Sequence, residues 1–520
     1  MHGGKMQNQE LYLSGIKEFT LSNHWLVSLW DFITVPFAKL MKLKRNKAID
    51  AVEPPGLDGH FLIGLMPEFS RDPLRFFHSI WFTYARAEGI CRFKLANRTI
   101  YLVTNPILCQ TVAQESDTYV RGSLFDKNRR VLGDSLLTAE GQVWKKKRND
   151  ITPHLNVKAI KENHYSIIQE VCEVLINRLY GRLRVGVDTL DVFEELSSCT
   201  IEVISQSLLG VHLSSHYQEC RKALEVILNH VFATVVSVVP PGIRERLPTK
   251  ANRRYKEAVV IAKKEFLKSI QEQLAKGRDN YLIQRFREEG DLTQELFNDI
   301  LNVFLAGYET TAQLLSWTIY ELSRRPQIDE KLYHELASRV HGSIPTLEEL
   351  VNLPYLANVI QEVLRIYPPA PLVVRDVVKD AQLGKYAVAK GDAVFIGLAM
   401  MGQDNARWNN PLEFNPDRFT TELLYKPFQY DLVPFGIGVH KCVGQQLSLT
   451  EAKCILASLV AKFQFESEEC VNPVMRGTLQ AEKRLTVRIK ERNAPQMPKK
   501  QPVQHETRVS GCPFHRLFEK

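Results

Sequence analysis

Phe435-Gly436-Ile437-Gly438-Val439-His440-Lys441-Cys442-Val443-Gly444 sets one cysteine between glycines, behind a phenylalanine and just ahead of an apolar helical run from Leu447 to Val460. Glycine lets a backbone approach a neighbour closely, because a Cβ there would clash. A helix that starts soon after the sulfur puts its positive end where a thiolate is stabilised. A chain built this way presents a single sulfur to something flat and large. Plainer readings stand beside this one. Most single cysteines are packing residues. Gly436-Ile437-Gly438 begins like a dinucleotide-binding loop, but Lys441 stands where the third glycine belongs. His440 and Cys442 suggest zinc, yet no second Cys/His pair lies at ligand spacing.

The stretch resembles the haem-binding signature of the cytochrome P450 family, Phe-x-x-Gly-x-Arg/His-x-Cys-x-Gly. The resemblance makes Cys442 the axial thiolate ligand of haem b (iron protoporphyrin IX), with Phe435, Gly438, His440 and Gly444 against the cofactor. Many family members carry Arg where this chain has His440. That departure makes the contact sensitive to pH in principle.

Around this loop the bulk numbers are ordinary. The chain has 520 residues, 44% hydrophobic and 24% charged, enough for a large core. No repeat and no Gly/Ser-rich linker divides residues 51–492, which read as one catalytic domain between an N-terminal arm (1–50) and a polar tail (493–520). The nine scattered cysteines form no disulfide framework, and their odd count argues for a reducing compartment. A net charge of +8 allows anionic lipid or an acidic protein as partner. The basic residues form no stripe, so nucleic acid is not expected.

Between His24 and Met41 an apolar stretch is broken by Asp31, Pro36 and Lys39, and Lys42, Lys44, Arg45 and Lys47 follow it. A spanning helix needs about 20 unbroken apolar residues. Aromatics beside basic residues suit a segment lying on a membrane surface, and a helix packed on the protein itself is the alternative. The expected location is the cytoplasmic side, soluble or peripherally attached.

Farther along, Glu53-Pro54-Pro55-Gly56 reads as a stiff turn closing the N-terminal segment. Cys91–Leu95 and Thr99–Val103 read as paired strands, and Val373–Phe395 as short strands with turns at Gly384 and Gly391. Val143 to Leu322 is mostly of helical period, and 402–434 is irregular. A helix from Thr293 to Arg324, stopped at Pro326, would run roughly 50 Å at about 1.5 Å per residue. Its middle, Phe304-Leu305-Ala306-Gly307-Tyr308-Glu309-Thr310-Thr311, breaks helix rules with a glycine, a carboxylate between apolar turns and threonines that can bond back to carbonyls.

That segment resembles the family's oxygen-activating motif. The resemblance puts Ala306 and Gly307 over the haem face, Thr310 against dioxygen, and Glu309 in a proton relay. Glu362-Val-Leu-Arg365 and the Arg418 of Asn415-Pro-Asp-Arg-Phe419 resemble the family's structural ion network. Trp144-Lys-Lys-Lys-Arg148 resembles its propionate-binding Trp-x-x-x-Arg, with Arg375 and His440 as further propionate contacts. Lys145 to Lys147 read as a docking patch for an acidic electron carrier, or as a solvated helix face.

These segments stand in the family's order. The resemblance implies a mainly α fold with a small β lobe, the cytochrome P450 fold. It implies a haem-thiolate monooxygenase that takes electrons from a separate ferredoxin or flavodoxin-type system and hydroxylates a hydrophobic, lipid- or terpenoid-like substrate with dioxygen. Pocket walls are expected from residues that include Leu208, Ile227, Phe232, Val235, Val236, Phe304, Leu372, Val373 and Leu479. The alternatives are a peroxide-using or isomerising relative and a haem-based sensor, the latter supported by Cys512-Pro513, which resembles a haem-regulatory dipeptide.

Overall fold

The computed structural model describes residues 52–492 except 61–63, 97, 211–216, 238, 240, 278–279 and 421–429. The segment 24–47, Asn97 and Cys512-Pro513 lie outside the described residues.

Strands gather early and late in the chain. The main sheet has the order β1-β2-β3-β9-β6-β4, where β1 is Gly56–Leu57, β2 Ile90–Leu95, β3 Arg98–Val103, β4 Tyr119–Val120, β6 Leu372–Val377 and β9 Ala393–Gly397. β9 is buried along its length between parallel β3 and antiparallel β6, which suits its unbroken apolar run Ala-Val-Phe-Ile-Gly. The proline turn runs straight into the sheet. Gly56 pairs with Arg92, and a Cβ there would meet the Arg92 carbonyl at 1.8 Å.

β5 (Thr189–Asp191) interrupts the helical region and pairs with β13 (Thr486–Glu491), itself beside β10 (Phe463–Glu466). β7 (Ala381–Leu383) with β8 (Tyr386–Val388), and β11 (Pro473–Arg476) with β12 (Thr478–Ala481), are separate hairpins.

The helices of thirteen residues or more are labelled α1 Gly141–Leu155, α2 Tyr165–Arg184, α3 Val192–Leu209, α4 Tyr217–Val235, α5 Lys250–Ala275, α6 Gln294–Ser323, α7 Pro326–Arg339, α8 Pro354–Ile366 and α9 Gln445–Lys462. One large apolar core joins them, and smaller cores lie under the main sheet. α6 is the axis of the bundle. Thr293 caps it, its side-chain oxygen accepting from the Leu296 N–H at 3.1 Å. Pro326 starts α7, where a missing N–H costs nothing. Through the rule-breaking middle, α6 stays α-helical and is buried almost all round. No helix among the described residues is long and apolar enough to cross a membrane.

Candidate active site

Backbone contacts build the cysteine loop. The Cys442 N–H donates to the Phe435 carbonyl at 2.9 Å, and Gly436 (φ +80°) and Gly438 (φ +63°) supply left-handed backbone. A Cβ on Gly438 would meet the Ala113 carbonyl at 2.7 Å, so only glycine lets the loop lie against helix Pro106–Gln114. Among protein atoms an added Cβ at Gly436 or Gly444 meets nothing nearer than 4.0 and 3.9 Å. Gly436 serves the turn's conformation.

Cys442 is accessible yet sits within the body of the fold. Desolvation pushes its thiol up, while the N–H groups of Gly444 and Gln445 at the head of α9, and the Arg148 and Lys441 charges, pull it down. The expected help from the helix start is therefore present, though burial outweighs it in the free thiol.

On α6 the accessible residues amid the buried middle are Val303, Ala306, Gly307 and Thr310. Their spacing is i, i+3, i+4, i+7, a single stripe. Gly307 also has a packing reason. A Cβ there would meet Ile204 Cδ1 of α3 at 2.9 Å. Thr310 Oγ1 donates to the Ala306 carbonyl at 2.7 Å, and Thr200 Oγ1 of α3 donates to the Tyr308 carbonyl at 3.1 Å. Thr311 and Ser448 hydroxyls meet at 3.0 Å and join the middle of α6 to the first turn of α9. Thus the open stripe and the cysteine loop belong to one region.

Glu309 faces elsewhere. It is buried, and its Oε1 accepts from Gln313 Nε2, Thr478 Oγ1 and Gln480 Nε2, each at 3.0 Å. Burial raises its pKa against these hydrogen bonds, and Glu225 adds to the rise.

The propionate candidates converge. The Trp144 and His440 rings meet edge-on at 4.2 Å. Trp144 Nε1 and His440 Nδ1 are buried with no hydrogen-bond partner among the described residues. Arg148 Nη1 donates to the Lys441 carbonyl at 2.7 Å and ties α1 to the loop. Arg375 on β6 is buried, and burial pushes it down to about 10.

Two members of this cluster escaped the sequence. The Arg121 N–H donates to Glu140 Oε1 at 2.6 Å, and Glu140 Oε2 lies 3.4 Å from His440 Nε2. Burial, helped by the charges of Arg375 and Arg148, pushes Arg121 down to about 10 against Glu140. Arg121 and Glu140 stand in short turns with no periodic signal. Burial also lowers the His440 pKa, with Glu140 opposing.

Glu362, Arg365 and Arg418 come together. Glu362 accepts from Arg365 Nε at 2.7 Å, Arg365 Nη2 at 2.8 Å, Arg418 Nε at 2.9 Å and the Asn415 N–H at 2.8 Å. Arg365 also holds the carbonyls of Gly402, Pro411 and Glu413, pinning the irregular segment to α8.

Two expectations need correction. Lys147 is no part of an exposed patch. It is buried, with Nζ 2.8 Å from Glu295 Oε1 and 2.7 Å from Asp299 Oδ2, and it clamps α1 to α6. Lys146 and Lys145, one and two residues earlier, are exposed. Leu208, Ile227, Phe304 and Leu479 belong to the close-packed core, with Phe304 against Phe266 at 4.9 Å. Of the expected pocket walls, Phe232, Val235, Val236, Leu372 and Val373 keep accessible surface.

A family model described as Cytochrome P450 matches residues 54–489. The chain belongs to the cytochrome P450 family. It is similar to cyclooctat-9-en-7-ol 5-monooxygenase of Streptomyces melanosporofaciens, 26% identical over 413 residues, which covers 78% of this chain and 87% of the relative. It is 30% identical over 363 residues to cytokinin hydroxylase of Arabidopsis thaliana, covering 65% of this chain and 68% of the relative. Membership makes it an oxidoreductase of the monooxygenase class. The family implies haem held by a cysteine thiolate, with dioxygen and a redox partner.

Proposed function

We propose that this chain hydroxylates a hydrophobic, lipid- or terpenoid-like molecule, with Cys442 as the thiolate ligand of haem b. The observation that carries the reading is the pairing of an accessible cysteine loop with the accessible stripe of α6 in an otherwise buried region. The donor set fits a flat dianion. Arg121, Arg148 and Arg375 bring more positive charge than Glu140 offsets, and Trp144 Nε1, and His440 Nδ1 when the ring is protonated and Nε2 faces Glu140, are buried donors without an acceptor. Burying such groups is costly unless an anion completes them. Two propionates would do so.

When bound, the haem supplies the dioxygen chemistry, and a thiolate ligand favours O–O cleavage. The chain's residues do the rest. The N–H groups of Gly444 and Gln445 hold negative charge on the Cys442 sulfur. Trp144, Arg148, Arg375, His440 and Arg121 fix the cofactor's orientation. Ala306 and Gly307 keep the facing helix close. Thr310 Oγ1 holds a proton at the open stripe, and Glu309, adjacent in sequence but turned toward β12, would be the acid that replaces it. The Glu362–Arg365–Arg418 network has no part in the chemistry and secures the core.

Residues 51–492 would form the catalytic domain. A ferredoxin or flavodoxin-type donor would dock with Lys145 and Lys146 in its reach, and residues 24–47 would rest on a membrane surface. The apolar surface of Phe232, Val235, Val236, Leu372 and Val373 supports an apolar substrate. So does a relative whose name gives cyclooctat-9-en-7-ol as substrate.

The test is the absorption spectrum of the dithionite-reduced, CO-bound protein beside Cys442→Ala. A long-wavelength thiolate–CO Soret band that disappears in the variant is expected. A band at the shorter, histidine-like position in freshly folded wild type, or no haem at all, would overturn the proposal.

A further inference from the structure

Glu309 is held by residues far from it in sequence. Two of the three donors on its Oε1, Thr478 and Gln480, come from β12 and the other, Gln313, from its own helix. Gln480 Nε2 also donates to Thr478 Oγ1 at 3.2 Å, so the two act as one unit. The turn that carries them is Gly477, at φ +90°. A methyl built on Gly477 would lie 3.7 Å from both Leu228 and Phe232 of α4. One tight turn therefore lies beside the accessible apolar surface of α4 and carries the residues that hold the buried carboxylate of α6. The strand is itself fastened behind this point, since Trp317 Nε1 donates to the Leu479 carbonyl at 3.1 Å and the Leu479 N–H to the Pro369 carbonyl at 2.9 Å.

We propose that Thr478 and Gln480 are positioning residues for Glu309, and that the Gly477 turn makes the acid's orientation answer to α4 and hence to what lies against it. The proposal rests on the reading of Glu309 as the proton source for Thr310. Three donors on one oxygen fix the carboxyl plane and leave Oε2 as the atom that carries and releases a proton. Of the groups facing Glu309, the charged Glu225 on α4 opposes its ionisation, while the neutral donors Gln313, Thr478 and Gln480 favour it. A displacement of α4 would move Glu225 and the Gly477 turn together. Both changes alter how readily Glu309 gives up its proton.

The test is an infrared titration of the Glu309 carboxyl in the ferric holoenzyme, its C=O band identified by disappearance in Glu309→Gln. Losing donors to the carboxylate raises the pKa. The Thr478→Val, Gln480→Leu double variant is expected to move the titration midpoint to higher pH by about one unit. The near-isosteric Thr478→Val alone serves if the double variant does not fold, with a smaller shift in the same direction, and Thr478→Ser should restore the wild-type midpoint. An unmoved midpoint in both Val-containing variants would sink the proposal. Leu228→Ala, which takes away the α4 side-chain carbons Cδ1 and Cγ that lie beside the turn and leaves the donors, is expected to shift the midpoint too. No shift there removes α4 from the inference. These readings need no turnover, so they stand apart from the relay itself. A Glu309→Gln enzyme with unchanged product yield per electron would overturn the relay while the infrared shifts still support the positioning.

Discussion

The hydroxyls of Thr311 and Ser448, 3.0 Å apart, join the helix that carries Thr310 to the helix that follows Cys442. One hydrogen bond between helices distant in sequence thus links the two sides of the candidate site. Thr311→Val removes it and leaves Ser448 without that partner. The expected cost is about 1–2 kcal/mol, read as a lowered thermal midpoint of the holoenzyme. A midpoint equal to wild type would show that the bond contributes nothing.

Position in the fold decides what each ion pair is worth. Glu362 and Arg365 are fully buried, and removing one leaves the other uncompensated. Glu362→Ala is expected to cost about 3–5 kcal/mol and to lower haem content in purified protein. Lys331 and Asp417 are both about half exposed, and Lys331→Ala should stay within about 0.5 kcal/mol of wild type. Equal losses in urea titration would contradict the burial argument.

Neighbouring lysines should behave differently. Lys147→Met leaves the buried Asp299 carboxylate without its closest cation, at an expected cost of about 3 kcal/mol. Lys145→Ala and Lys146→Ala should leave stability unchanged and slow reduction by an acidic electron carrier, with the difference fading as salt rises. Stopped-flow reduction at low and high ionic strength, beside thermal melts, separates the two effects.

Mild acid should destabilise the fold through two buried histidines. Burial holds His78 and His230 down to about 4, and Arg244 adds to the depression at His230. The unfolded chain takes up these protons near pH 6.5 and the native state does not. Stability is therefore lost as pH falls from about 6.5 to about 4, by up to about 3 kcal/mol for each histidine. His230→Gln forfeits the ring stack on Tyr255 at 4.1 Å, so it starts lower at neutral pH. Its stability should then fall less steeply across that window. Parallel curves for variant and wild type would refute the assignment.

The sequence announced what local pattern can carry. β2 and β3, the short strands around Gly384 and Gly391, and a long helix capped by Thr293 all lie within a residue or two of their expected bounds. The family signature was local as well, and it drew attention to Cys442, Glu309 and Glu362. What stayed hidden depends on contacts across the fold. Lys147 reads like its neighbours until Asp299 arrives from α6. Leu208 and Phe304 read like pocket walls until the core closes over them, with Phe266 of α5 against Phe304. A strand as short as β5 has no period to detect, and its partner β13 lies at the far end of the domain. The hold of Thr478 and Gln480 on Glu309 is of the same kind, since nothing local marks a threonine in a hairpin turn as the partner of a helix carboxylate.

Arg148 and Lys441 touch across a sequence separation of 293, and that separation sets an order of events. Most of the helical body has left the ribosome before Cys442 is synthesised, and β13, which secures β5, comes later still. Long-range closure of this sort is slow and exposes apolar surface while it waits. The arginine cluster and the open stripe of α6 therefore precede the Cys442 loop in the nascent chain. On the proposed ligation by Cys442, cofactor capture falls among the last acts of biosynthesis, and a chain arrested ahead of residue 442 is expected to be a client for chaperones rather than a weaker enzyme.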